Sequence, residues 1–265
     1  MNEIATGHAL PGQSPAGRPP EGPAPSGKAD RLRGNLDAVR AEIEAACRRA
    51  GRSPEDVRLL VVLKSVGAET ARLLEPLGIA DVGEGTVQGA AAKQEAFGGR
   101  GGYRWHLVGH LQSNKARRAV KLFDGLHSLD SSSLAQKIDG ELERLKDPPE
   151  ALREIYLEVN IARQATKAGV DPDEAERLLC EIRGLPRVAR RLVGLMAMAP
   201  PVADPAQARP AFRALRALRD RLTAVGRLPE GAGLSMGMSS DFPVAIEEGA
   251  TVIRVGTRLF EALGN

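Results

Sequence analysis

A chain of 265 residues with 42% hydrophobic content has enough apolar material for one large domain or two small ones, and with only 3% aromatics its core must be aliphatic. A formal net charge of +3 and a pI near 9.0 lack the strong, clustered excess of a nucleic-acid surface and argue against that class of partner. Two widely separated cysteines, no apolar stretch of spanning length and no apolar leader point to a soluble, cytoplasmic protein without membrane attachment.

Residues 1–28 are crowded with Pro, Gly, Ala and Ser and offer too few large apolar side chains to offset their ordering entropy, so they read as a disordered tail. From Asp30 the pattern changes. Leu32, Leu36, Val39, Ile43 and Cys47 recur at three- and four-residue spacing and Gly51 follows, which predicts an amphipathic helix capping the bottom or side of the fold. The run Leu59-Leu60-Val61-Val62-Leu63-Lys64 reads as a strand buried on both faces and closed by a lone lysine. A regular alternation follows: helix 68–77, strand 79–84, helix 87–97, strand 105–108, a basic helix 113–121, strand 122–129 and helix 131–146, stopped by Asp147-Pro148-Pro149. Strand 154–161 leads through a loop past Lys167 and Gly169 to helix 173–183 and strand 191–198. The long helix 206–225 carries Phe212, Leu215, Leu218 and Leu222 on one face, ahead of strand 233–236, helix 242–248, strand 251–255 and helix 258–263. Eight strands alternating with helices predict a (β/α)8 barrel over residues 29–265. A doubly wound open sheet is the alternative, but it needs only about five to seven strands, and no G-x-G-x-x-G turn follows the first one.

In such a barrel Lys64 sits at a C-terminal strand tip, where chemistry is placed. Apolar walls that partly desolvate a lysine leave more of it as the neutral amine, which attacks an aldehyde to form a Schiff base; the alternative is a lysine that ends its strand and snorkels to water. The loops after strands seven and eight, where barrels often hold phosphate, read Ser235-Met236-Gly237-Met238-Ser239 and Arg254-Val255-Gly256-Thr257. Gly256 lets the backbone approach a phosphate, Thr257 opens the last helix, Ser235 adds a hydroxyl and Gly237 gives room. Plain strand-to-helix turns use the same residue types. Arg254 interrupts the apolar run of the last strand, so it either faces inward beside Lys64 or outward in a surface ion pair. A ligand with an aldehyde, a phosphate and an aromatic nitrogen, pyridoxal 5′-phosphate, would satisfy Lys64, the phosphate turns and Arg254 together. A guanidinium cannot accept a proton, so at the ring nitrogen it leaves that nitrogen unprotonated and weakens the ring as an electron sink.

Leu63-Lys64, Gly83-Glu84 with Val87-Gln88, Trp105-His106, Gly109-His110-Leu111-Gln112-Ser113-Asn114-Lys115, Gly194-Leu195-Met196, Ser235-Met236-Gly237-Met238-Ser239 and Arg254-Val255-Gly256-Thr257 occur in one order from about residue 30 onward. In this the chain resembles the YggS/PROSC family of pyridoxal phosphate homeostasis proteins. The resemblance implies a barrel of the alanine racemase N-terminal type, with Lys64 as the aldimine lysine, Ser235, Gly256 and Thr257 around the phosphate and Arg254 at the pyridine nitrogen. It implies a protein that carries or buffers the cofactor without established turnover; a monomer with apo-enzymes as recipients is the expected partnership. The family's usual Gly-Glu-Asn-x-Val-Gln-Glu is here Gly83-Glu84-Gly85-Thr86-Val87-Gln88-Gly89, which removes two side chains beside Lys64.

A racemase or a Schiff-base aldolase is the enzyme alternative. Racemisation by two bases needs a second acid/base, which related racemases take from a tyrosine of an additional domain; this chain ends after its eighth unit and has only Tyr103 and Tyr156, neither evidently placed for the task. His106 and His110 lie in strand and turn, not at helical metal-ligand spacing, and read as structural hydrogen-bonding groups. Lys115, Arg117, Arg118 and Lys121 read as a solvated helix face, with an acidic or RNA partner as the alternative. Met196, Met198, Met236 and Met238 are expected to pack the barrel rim.

Overall fold

The strand-helix alternation closes on itself. In the computed structural model, which describes residues 27–146, 152–164 and 168–263, eight parallel strands form a closed barrel in chain order. They are β1 Arg58–Val62, β2 Asp81–Glu84, β3 Arg104–Leu107, β4 Gly125–Leu129, β5 Glu154–Glu158, β6 Leu192–Met196, β7 Gly233–Met238 and β8 Val252–Val255. Closure comes from β1, which pairs with β2 through Val61 opposite Val82 and with β8 through Leu60 opposite Arg254. This rules out the open doubly wound sheet.

Around the barrel run α1 Lys28–Ala50, α2 Ala68–Arg72, α3 Val87–Phe97, α4 Ala116–Leu122, α5 Ser132–Arg144, α6 Ala175–Ile182, α7 Pro186–Ala189, α8 Arg209–Ala224, α9 Phe242–Glu247 and α10 Thr257–Phe260. The last two are too short to cover the seam where β8 meets β1. The N-terminal helix does that work: α1 buries Leu32, Leu36, Val39, Ile43, Ala46 and Cys47 and packs on α9 and α10. Each such leucine contributes roughly 1.5–3 kcal/mol by leaving water. Arg49 pairs with Glu247 at 2.6 Å, Arg258 reaches back to Glu42, and Asn35 Nδ2 donates to the Leu259 carbonyl at 3.0 Å. The helix thus lies on the side of the barrel. It begins at Lys28, within the expected tail; residues 1–26 of that tail lie outside the described residues, as do Asp147-Pro148-Pro149 and Lys167.

The described residues form two apolar cores. A large aliphatic layer fills the space between strands and helices, and it includes the predicted face Phe212, Leu215, Leu218 and Leu222 of α8. Inside the barrel the apolar cluster is small, Leu60, Tyr156, Met196 and Val252, with Val108, Val193 and Met198 against it. Much of the remaining interior is polar. Strand boundaries move where local chemistry outweighs pattern: Leu122 ends α4 rather than starting β4, and β7 runs two residues beyond the expected Met236. In β7 the register against β8 slips between Ser235 and Met238, and Gly237 takes a φ of +92° there, so an extra residue bulges from the strand.

Candidate functional site at the mouth of the barrel

At the C-terminal ends of the strands a cavity of about 460 Å³ is lined by Val62, Lys64, Arg254, Gly256, Thr257 and Ser239, among others. That size falls within the usual range for a small-molecule pocket. Lys64 stands two residues past β1, in a turn, and is exposed rather than walled in by apolar side chains. Its amine therefore reaches the cavity from the rim. Met198 and Met238 line the same cavity, whereas Met196 is inside the barrel cluster and Met236 lies in the outer core.

The two turns flank this cavity unequally. Gly256 is forced: a Cβ there would stand 2.8 Å from the Val62 carbonyl oxygen, so only glycine lets β8 come this close to β1. Its N–H donates to Ser239 Oγ at 3.2 Å, which links the turns after β7 and β8. Thr257 starts a single helical turn, too short for a macrodipole, so any pull on an anion comes from the unpaired N–H groups of that first turn. Gly237 leaves space, but Ala245 and Phe242 of α9 fill it: a Cβ at 237 would lie 2.6 Å from the Ala245 Cβ. Ser235 is not at the tip. The longer β7 draws it into the barrel, fully buried, with its hydroxyl held by Arg254 and His127. The hydroxyls that do reach the cavity are those of Ser239 and Ser240.

Arg254 faces inward, 5% exposed. Its Nη1 donates to the Ser235 carbonyl and hydroxyl, both at 2.7 Å, and its Nη2 donates to the Ala197 carbonyl at 3.0 Å. Burial brings the guanidinium down to about 10, opposed by Glu158 and Asp241, so it keeps its charge at neutral pH. Behind it runs a buried polar line, of which the sequence marks Ser235 and His106 but not His127 or Asp81. Ser235 Oγ lies 2.8 Å from His127 Nδ1, His127 Nε2 lies 3.2 Å from His106 Nδ1, and His106 Nε2 lies 2.9 Å from Asp81 Oδ1. Arg104 clamps Asp81 at 2.9 and 2.6 Å. Burial above all, with the nearby Arg254 guanidinium adding to it, holds His127 well below the ordinary imidazole range. For Asp81, hydrogen bonds from His106 and Arg104 outweigh burial and hold the carboxyl well below the carboxylate range. Thus His106 has the structural hydrogen-bonding role expected of it, while His110 is exposed and pairs with Asp130 at 3.5 Å. No metal-binding group of three or more ligands occurs among the described residues, and no described helix is long and apolar enough to cross a membrane.

Residues 34–263 match the family model for the alanine racemase N-terminal domain. Over 227 residues the chain is 38% identical to the pyridoxal phosphate homeostasis protein of Aquifex aeolicus, covering 85% of this chain and 95% of that one. The chain belongs to the pyridoxal phosphate homeostasis protein family. Another member of that family, from Pseudomonas aeruginosa, is 37% identical over 231 residues, or 86% of this chain and 94% of that one. The structure of PipY from Synechococcus elongatus with PLP bound is similar at a TM-score of 0.72 and 34% identity, covering 86% of this chain and 99% of that one. Alanine racemase of Clostridium difficile shares the fold alone, at a TM-score of 0.64 and 15% identity, with 87% of this chain matching 56% of that one.

The departures from the usual motif of the homeostasis protein family now have a setting. Glu84, buried at the tip of β2, accepts from the Gly85 N–H at 2.9 Å and pairs with Lys93 of α3. A Cβ at Gly89 would stand 2.9 Å from Glu84 Oε2, and a Cβ at Gly85 would stand 3.8 Å from the Lys64 Cβ. The residue before α3 is Thr86, whose hydroxyl caps the helix through the Gly89 N–H. In this member of the homeostasis protein family Lys93 therefore meets the Glu84 charge, and Lys64 has no side chain at 85 beside it.

Proposed function

We propose that this protein binds pyridoxal 5′-phosphate at the barrel mouth through Lys64 and holds the cofactor for homeostasis, with no amino-acid turnover of its own and apo-enzymes as recipients. The observation that carries this reading is the convergence on one cavity of Lys64, Arg254 and the linked turns at Ser239, Gly256 and Thr257. The cofactor supplies an aldehyde that joins to an amine and a ring that stabilises carbanions. Lys64 is the amine at the rim. The Thr257 N–H and the hydroxyls of Ser239 and Ser240 suit the phosphate, with Ser239 held in place by the Gly256 N–H. Arg254 brings donors and no acceptor to the ring, which holds the ring nitrogen without a proton and damps its electron sink.

The tyrosines support the absence of turnover. Tyr103 is buried outside the barrel and donates to the Ala71 carbonyl at 3.1 Å, and Tyr156 OH accepts from Arg58 at 3.0 Å, toward the opposite end of the barrel from Lys64. Neither lines the cavity, so a second tyrosine base is not provided. The test is an absorption spectrum of the purified chain with cofactor, before and after borohydride reduction, with mass mapping of the modified lysine. A visible band lost in Lys64→Ala and a reduced adduct on Lys64 are expected, with no racemisation or retro-aldol cleavage across an amino-acid panel. An adduct elsewhere, or turnover that depends on Lys64, overturns the reading.

A further inference from the structure

Barrel interiors of this type are ordinarily filled by branched aliphatic side chains in layers. Here Asp81, His106, His127, Ser235 and Arg254 occupy that space in one hydrogen-bonded line that ends at the cavity. Buried polar groups are tolerated when every member is satisfied, and a half-satisfied line is worse than an apolar filling. We propose that His127 and Ser235 are positioning residues for Arg254, the line from Asp81 fixing how the guanidinium presents itself to the ring of the cofactor. This rests on the pyridoxal phosphate reading of the site.

The order of protons follows from the ends. Arg254 can only donate, so Ser235 Oγ accepts from it and has its own proton to give. At the far end Asp81, clamped by Arg104 and 3.8 Å from Arg58, can only accept. One arrangement gives every group a partner, including the Ser235 hydroxyl proton: His106 donates Nε2–H to Asp81, His127 donates Nε2–H to His106 Nδ1, and Ser235 donates to His127 Nδ1. The hydroxyl proton of Ser235 is then turned away from Arg254 and a lone pair faces it. His127 is held in plane by stacking on Tyr156, with ring centroids 4.5 Å apart and an interplanar angle of 18°, and Tyr156 is held in turn by Arg58. Arg254 is therefore fixed by a hydroxyl of set polarity together with two carbonyls, one from β7 and one following β6.

The test titrates the full chain with pyridoxal phosphate and follows the visible band. His127→Phe keeps a ring against Tyr156 but accepts no hydrogen bond, and Ser235→Ala removes the hydroxyl. Each is expected to weaken binding about tenfold, the size of one hydrogen bond to a charged group, while borohydride still joins the cofactor to Lys64 at saturation. In an Arg254→Leu background the same changes are expected to cost nothing further. Nitrogen NMR of histidine-labelled protein without cofactor is expected to show protonated Nε2 on both buried rings. A dissociation constant within twofold of wild type in both folded variants overturns the proposal. So does an equal loss in the Arg254→Leu background, which marks a merely structural role, or a proton on His127 Nδ1. A wild-type chain that takes up no cofactor overturns the functional reading as well, whereas normal attachment to Lys64 with uncoupled variants overturns this proposal alone.

Discussion

Glu158 shows how far one side chain departs from its ordinary chemistry inside this barrel. It is 3% exposed at the end of β5, and burial together with the charge of Asp130 pushes its carboxyl up to about 7, against the pull of Arg254. A folded value above the unfolded one means that the native state holds the extra proton. The stability tied to this group is thus fully present below the unfolded value near 4.5 and is lost as pH rises through about 7. The shift corresponds to at most about 3 kcal/mol. Glu158→Gln, which keeps the shape without the charge, is expected to stabilise the fold at pH 8 and to change little at pH 4.5, read by urea unfolding at both. Equal effects at the two values would show that Glu158 is not the titrating group. Arg254 is legible in the sequence because it breaks an apolar strand at a definite position; His127 stands as a polar residue beside Leu126 in β4, and Asp81 and Glu158 stand at the start of β2 and the end of β5. What the sequence does not display is how they are joined: Asp81 reaches His127 through His106, and His127 reaches Arg254 through Ser235, a line across β2, β3, β4, β7 and β8 that forms only when the ring closes.

At the scale of elements, periodicity served helices better than strand ends. The apolar face of α1 was legible from Leu32 to Cys47, but its place was not, since that depends on the shortness of α9 and α10 more than two hundred residues away. Leu36 is fully buried in this seam, so Leu36→Ala is expected to cost about 2–5 kcal/mol by lost transfer energy and a cavity, measured from denaturant midpoints. A cost below about 1 kcal/mol would mean that α1 is not the cover of the β8–β1 seam. The helix α7 escaped the sequence reading for a long-range reason: its first N–H groups, at Arg187 and Val188, donate to Asp139 of α5 at 2.8 and 3.0 Å. Ser235 reads as a strand-tip residue, yet lies within β7, for a local one. The bulge at Gly237 lengthens β7, and a glycine in Ser-Met-Gly-Met-Ser reads equally well as a turn or as a bulge.

For the whole molecule, the count of eight units was enough to predict closure, because each strand had its own helix signal and turn. The candidate site is legible in the sequence to the extent that the cavity lining lies in chain-local turns, at Lys64 and at Gly256–Thr257, and illegible where it depends on the filled interior. The mouth gathers residues from the ends of β1, β3, β6, β7 and β8, so a ligand bound there ties together parts of the ring that are distant in sequence. Ligand that binds the native state alone stabilises it by about 2.7 kcal/mol at a hundredfold excess over its dissociation constant. For a domain of this size that corresponds to roughly 5–10 °C in Tm. Pyridoxal phosphate is accordingly expected to raise the Tm of the wild-type chain by about that much, and pyridoxal, which lacks the phosphate, by clearly less. On the proposed reading Lys64→Ala removes the attachment but leaves Arg254 and the turns in place, so it is expected to keep only a small shift that disappears at low cofactor concentration. A Tm shift in Lys64→Ala as large as in wild type would place the binding energy outside the Lys64 amine, and the mouth would then be a phosphate site rather than a site of covalent attachment.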